Sequence, residues 1–264
     1  MDELTRDNLT ILNTSGGLKW DEPFFAYTSG SIGPNYVSSE SVTRDSNSYY
    51  LAIRSMQKVV ERWSVGKDEK IEYITGGQSR DWLFSEPLAR KLGGVTHVRL
   101  FKNGDVEKNI DMEGKTVIHV ADLNNEGHSI RNLWIPLITQ ANGNLGAVFF
   151  YVDRMEEGNK ALNRDNIMHD AVIKLDSEVW DYMLREGVVD EDSYRNIMAR
   201  REDPNGWAER MLKSDKGLEH LITLLKNPHL MSRAWKVVNE GYPSMTPELT
   251  ERLEKRGYVN PLSN

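Results

Sequence analysis

The sequence predicts an α/β fold in which a mainly parallel sheet carries helices on both faces, followed by an α-helical C-terminal region. Three observations predict it. Over residues 48–152, short apolar runs of strand length alternate with segments of helical spacing. Glycine pairs close several of these segments. From about residue 159 the pattern shows no convincing strand, only helical pieces broken at Gly187, Pro204, Gly217, Pro228 and Pro243. Strands alternating with helices imply right-handed crossovers, and hence parallel pairing.

The elements follow in order. Residues 1–45, polar and aromatic, read as irregular structure with a short hairpin. Residues 48–63 place Tyr50, Leu51, Ile53, Met56, Val59, Val60 and Trp63 at helical spacing. Residues 71–75 form a strand that ends in Gly76-Gly77. Residues 82–92 form a helix stopped by Gly93-Gly94, because glycine accepts the left-handed conformation there. Strands are expected at 95–101, 115–121 and 145–152, with a helix at about 129–140 between the last two. Amphipathic helices are expected at 177–185, 191–201, 218–225 and 247–256. This divides the chain into an α/β domain, 1–158, and a helical region, 159–264.

Composition sets the limits. The chain has 264 residues, 39% hydrophobic and 28% charged, with seven Trp and ten Tyr. That is too much large apolar surface for a disordered chain. Having no Cys, it has no disulfide, thiolate or Cys-ligated metal chemistry, which fits a reducing compartment. A net charge of −7 argues against a broad nucleic-acid surface. No apolar run reaches the roughly eighteen residues of a membrane span, and the start lacks a signal-peptide profile, so a cytoplasmic location is expected.

In parallel sheets, ligands sit at the carboxyl ends of the strands. Here those ends carry Thr75-Gly76-Gly77-Gln78-Ser79-Arg80-Asp81, the stretch from Arg99 to Gly104, and Asp122-Leu123-Asn124-Asn125-Glu126-Gly127-His128-Ser129. The last is a buried strand, an acid, a polar loop and a helix start, which suits a phosphate beside sugar hydroxyls.

That segment resembles the type I phosphoribosyltransferases, orotate phosphoribosyltransferase most closely. Three further segments agree in order: Phe25 to Gly30 with Pro34 and Tyr36; Ile74 to Gly77 with Pro87-Leu88-Ala89 and Leu92-Gly93; and Val152-Asp153-Arg154 with Glu157-Gly158. The resemblance spans about the first three-fifths of the chain. It implies transfer of a phosphoribosyl group from phosphoribosyl pyrophosphate (PRPP) to a nitrogenous base, orotate-like, with release of pyrophosphate. Magnesium is implied as cofactor, brought by the substrate and touching Asp122, with no side-chain cluster of its own. A homodimer is implied as well. By the same resemblance Asp122, Arg99 and Lys102 are the catalytic candidates. Asn124, Asn125, Glu126, Gly127, His128 and Ser129 would bind the 5′-phosphate, and Thr75, Gly76, Gly77 and Arg80 the pyrophosphate. Arg154, Ser29 and Gly30 would bind the base.

The departures are specific. The family's first acid is Ala121, its Thr-Thr-Gly-Gly reads Asn125-Glu126-Gly127-His128, and its Lys before Ser-Gly is Thr28. A carboxylate about 4 Å from a phosphate costs on the order of 1 kcal/mol in water and more where dry. Glu126 therefore points away, meets a cation, or marks a different ligand. Ala121 and Glu126 favour the alternative, a catalytically silent relative that binds a nucleotide or another phosphorylated ligand and controls a partner through the helical region, whereas Asp122, Arg99, Lys102 and Val152-Asp153-Arg154 favour the transferase, the leading reading. Plainer readings stand beside each site: Asp122 as a helix N-cap, Arg80 and Asp81 as a surface ion pair, His119 as a core histidine, His128 as a surface turn residue, and Arg154 in a salt bridge with Asp153, Glu156 or Glu157.

Overall fold

A computed structural model describes residues 1–66, 70–107 and 110–260. In chain order they form α1 (Glu3–Thr14), β1 (Leu18–Lys19), β2 (Phe25–Ala26), β3 (Ile32–Gly33), β4 (Tyr36–Val37), a 3-10 turn (Ser39–Arg44) and α2 (Ser46–Ser64). Then come β5 (Ile71–Gly77), α3 (Trp82–Leu92), β6 (Thr96–Leu100), β7 (Thr116–Asn124), a π-helical turn (Ile130–Trp134), α4 (Ile135–Gln140), β8 (Asn144–Asp153), α5 (Glu157–Arg164), β9 (His169–Lys174) and α6 (Ser177–Arg185). The chain continues through α7 (Glu191–Glu202), α8 (Pro204–Lys213), α9 (Asp215–Lys226), α10 (Met231–Lys236) and α11 (Thr246–Glu254). Two compact units result: Met1–Gly17 with Ser38–Val179, and Leu18–Val37 with Trp180–Asn264. The boundary read from the sequence, 158/159, falls inside the first of these.

The first unit is built on a five-stranded parallel sheet ordered β6-β5-β7-β8-β9. Its central strand, β7, is buried along nearly its whole length, as a strand covered on both faces must be. Alternation along β8 sorts its side chains. Phe149 and Tyr151 face one layer, where they meet Trp63 of α2 and Phe84 of α3. Val148 and Phe150 face the other, with Trp134, Leu137 and Ile138. Each fully buried side chain of this size contributes about 1.5–3 kcal/mol. Asp45 caps α2 by accepting the Ser48 amide at 2.8 Å. Gly93 and Gly94, both at positive φ, end α3.

Two expectations are corrected. Residues 1–45 are not simply irregular with one hairpin: α1 occupies Glu3–Thr14, capped by Asp2, which accepts the Thr5 amide at 2.8 Å. Only Asn8, Leu9 and Leu12 of α1 are buried, so its apolar stripe is too thin to announce a helix. A strand also lies beyond residue 159. In β9 three buried residues, Ala171, Val172 and Ile173, sit between polar flanks, and pairing with β8 stabilises what the local sequence does not signal.

In the second unit, α8 to α11 pack around Trp207, Leu212, Leu221, Leu225, Val238, Leu249 and Leu253. Phe24, Ala26 and Ile32, from the antiparallel β2–β3 hairpin, belong to the same core. Polar anchors hold that hairpin. Buried Arg200 donates through Nε to the Ile32 carbonyl at 3.0 Å and lies over the Tyr27 ring. The Ile32 amide donates to the Tyr242 hydroxyl at 3.0 Å, and Lys236 Nζ donates to the Thr28 carbonyl at 2.9 Å.

Candidate functional site

The carboxyl ends of β5 and β7 lie side by side, with Thr75 opposite His119 in the register. Glycine is required at the end of β5 by close approach. A Cβ on Gly76 would stand 2.1 Å from Ser85 Oγ, and one on Gly77 would stand 2.1 Å from the Trp134 indole. Trp134 in turn stacks on the His119 ring. The Gln78–Ser79 peptide is cis, and the chain then turns into α3 with the Trp82 indole N–H donating to the Gly76 carbonyl at 2.8 Å.

Asp81 stands at the start of α3, the usual place of an N-cap, but its side chain caps nothing in that helix. It folds inward instead. Oδ2 accepts the Gly77 amide at 3.1 Å and Oδ1 accepts the Asp122 amide at 3.0 Å. Burial, and then the neighbouring Asp122 carboxylate, push the Asp81 carboxyl well above its ordinary range. Asp122 is itself buried, and its Oδ2 accepts the Ser39 hydroxyl at 2.6 Å. His119 completes the group. Thr75 Oγ1 lies 3.0 Å from its Nδ1, while Nε2 has no hydrogen-bond partner and stands 3.9 Å from Asp81 Oδ2. Burial pushes the His119 pKa down to about 3, so the ring is neutral.

The loop 124–129 is held firmly at its base. Asn124 donates through Nδ2 to the buried Asp153 at 3.2 Å, and its carbonyl accepts the Arg154 amide at 3.1 Å. The Asn125 carbonyl accepts the Gly158 amide at 2.9 Å. Gly158 has to be glycine, since a Cβ there would meet Asn124 Oδ1 and the Asn125 carbonyl at 2.4 Å. Gly127 turns the chain at φ +68° into the helix that begins at His128. Glu126, His128 and Ser129 are exposed, with His128 Nδ1 2.9 Å from Asn132 Nδ2.

The expected cations divide into two kinds. Arg99 pairs with Glu86 at 2.8 Å and lies over the Trp82 ring. Arg154 is buried with its guanidinium 3.0 Å from Glu156, one of the three acids weighed as partners from the sequence. Arg80 and Lys102, by contrast, are exposed, and the Lys102 amide donates to Gln78 Oε1 at 3.0 Å beside the turn. Ser29 and Gly30 belong to the second unit. Ser29 Oγ lies 2.8 Å from Ser31 Oγ, and Gly30 backs onto Lys236 and Gly241.

Sequence reasoning passed over Asp81, Ser39 and Asp153. Asp81 read as half of a surface pair with Arg80, but it is buried and turned towards the strands. The signal available was its spacing, four residues after Gly77. Asp153 accepts from Asn124, Asn159 and the Met155 amide, and so ties the loop 124–129 to α5. Among the described residues, no group of three or more His, Asp or Glu side chains is placed to hold a metal ion. No helix among them is long and apolar enough to cross a membrane.

No family model and no curated protein matches the chain. Solved structures do. UMP synthase from Leishmania donovani matches with a TM-score of 0.63 at 18% identity, over 74% of this chain and 42% of that one. The chain thus spans about two-fifths of that protein. Orotate phosphoribosyltransferase from Francisella tularensis matches with a TM-score of 0.59 at 16% identity, over 74% of this chain and 96% of that one. The enzyme of the same name from Aeropyrum pernix matches with a TM-score of 0.56 at 19% identity, over 69% and 99%. The β5–β7 site is therefore set in a chain that has the fold of the type I phosphoribosyltransferases, with orotate phosphoribosyltransferases among the structures it resembles.

Proposed function

We propose that this chain is a catalytically silent relative of the phosphoribosyltransferases, one that binds a phosphorylated ribose compound at the loop 124–129 and does not transfer the phosphoribosyl group. The observation that carries this reading is the state of Asp122. A carboxylate that grips ribose hydroxyls needs open lone pairs, but Asp122 is buried, accepts the Ser39 hydroxyl and lies against Asp81. Its expected acidic neighbour is Ala121. The same donor set does not fit a protein-held magnesium ion: one oxygen of the sole expected ligand is engaged, and burial and Asp122 push the adjacent Asp81 carboxyl up.

Binding is supported by the loop itself. It is anchored at Asn124 and Asn125, turns at Gly127 and leads into a helix start, whose free amides favour an anion. The exposed His128 and Ser129 offer further polar contacts. Thermal melting with ribose 5-phosphate and a panel of nucleoside monophosphates tests this. A rise in Tm is expected, and no rise with any of them refutes it.

A second reading, the transferase itself, is favoured by the exposed Arg80 and Lys102 at the ends of β5 and β6, where departing pyrophosphate would gain from positive charge. Release of pyrophosphate from PRPP with Mg²⁺ and a panel of bases, orotate first, separates the two. No turnover is expected; turnover that Asp122→Asn abolishes would establish the transferase.

A further inference from the structure

The geometry points to Asp81 as a built-in occupant of the turn after β5: its carboxyl takes the donors that a pyrophosphate group would need, and such a group binds there only by displacing it. The inference rests on the reading that a phosphorylated ligand uses these strand ends.

Three features converge. The Gly77 and Asp122 amides come from different strands, yet both donate to this one side chain, at 3.1 and 3.0 Å. Two N–H groups aimed at the two oxygens of one carboxyl form the same fork that would hold two oxygens of a phosphate. The third feature is His119 Nε2, fully buried, without a hydrogen-bond partner and 3.9 Å from Asp81 Oδ2. A buried ring nitrogen without a partner is costly, so a polar group that reached this point would gain a contact the native side chains do not make.

Asp81 also gives up the helix-capping role its position offers, since no amide of α3 donates to its side chain. Exposed Arg80 immediately precedes Asp81 in the turn, and the backbone of exposed Lys102 is tied to Gln78 of the same turn. An oxyanion that takes both amides has to displace this one carboxyl.

The test compares the full-length wild type with Asp81→Ser by calorimetric titration of two probes, inorganic pyrophosphate and ribose 5-phosphate. Serine retains a helix-capping residue at this position and removes the carboxyl. Pyrophosphate is expected to bind the variant at least about tenfold more tightly than the wild type, a difference of about 1.4 kcal/mol. Ribose 5-phosphate is expected to bind both equally. A folded variant that binds pyrophosphate no more tightly overturns the inference, whereas loss of ribose 5-phosphate binding to both proteins overturns the functional reading instead. If the variant shows no cooperative melt, the ¹⁵N-labelled wild type decides. The Gly77 and Asp122 amide resonances are expected to move together at high pyrophosphate, because one carboxyl leaves both. Pyrophosphate that leaves both unmoved refutes the displacement.

Discussion

The Asp122 amide donates to Oδ1 of Asp81 at 3.0 Å, so the backbone of one acid holds the side chain of another at the junction of β7 and α3. Two carboxyl groups then share a buried space.

The first prediction follows from Asp81. Its carboxyl is raised from an ordinary value of 3.8 by burial and by Asp122. A raised carboxyl contributes stability that is fully present below the unfolded value and is lost as pH rises through the folded one. Asp81→Asn has no such proton to lose. Stability, measured by urea unfolding, is therefore expected to shift in favour of the variant as pH rises from about 4 to about 7. A difference that stays constant across that range contradicts the assignment.

His119 gives the opposite sign. Its pKa falls from 6.5 to about 3 through burial, so its contribution is present above the unfolded value and is lost as pH falls. Wild type is expected to lose up to about 1.4 kcal/mol per pH unit below pH ~6.5 from this group. His119→Gln, which keeps a partner for Thr75 without a titrating ring, is expected to lose less over the same interval. Parallel unfolding curves for the two proteins from neutral pH to about 4 would refute it.

How much of this was legible can be judged element by element. The run from Thr116 to Ala121 announces β7 because a strand covered on both faces has to be apolar throughout. Gly93-Gly94 announces the end of α3 through backbone freedom. By contrast, α1 and β9 derive their order from partners far along the chain, which local pattern does not record. The site shows the same divide. Asp122 is legible as an acid at a strand end, whereas Asp81 beside Arg80 reads as half of a surface ion pair. Its inward turn depends on the Asp122 amide, 41 residues away.

Gly77→Ala tests the close approach of β5 to Trp134. The added methyl would lie 2.1 Å from the indole, so a loss of about 1–3 kcal/mol is expected in denaturant unfolding. Trp134→Leu in the same chain is expected to restore part of it. Full additivity of the two substitutions would show that the contact is not the cause.

Ser39→Ala removes the hydroxyl that donates to Asp122 at 2.6 Å. With a buried carboxylate losing a partner, destabilisation of about 1–3 kcal/mol is expected, measured by thermal or urea unfolding. A change within about 0.5 kcal/mol would mean that solvent replaces the bond.

In the second unit, Arg200→Lys keeps the charge but not the planar group that spans the Ile32 carbonyl and the Tyr27 ring. A lower Tm is expected, with faster hydrogen exchange at the amides of β2 and β3. Unchanged exchange there would show that the hairpin does not depend on the arginine.

The placement of Leu18–Val37 has a consequence for biosynthesis. Phe24 and Ile32 are made about 175 residues or more before Trp207 to Leu253, which complete the core they enter. Until those residues are made these side chains lack most of their core, and a chain ending at Val179 would carry them uncovered. For this protein, helices made well after this hairpin decide whether its apolar side chains are covered.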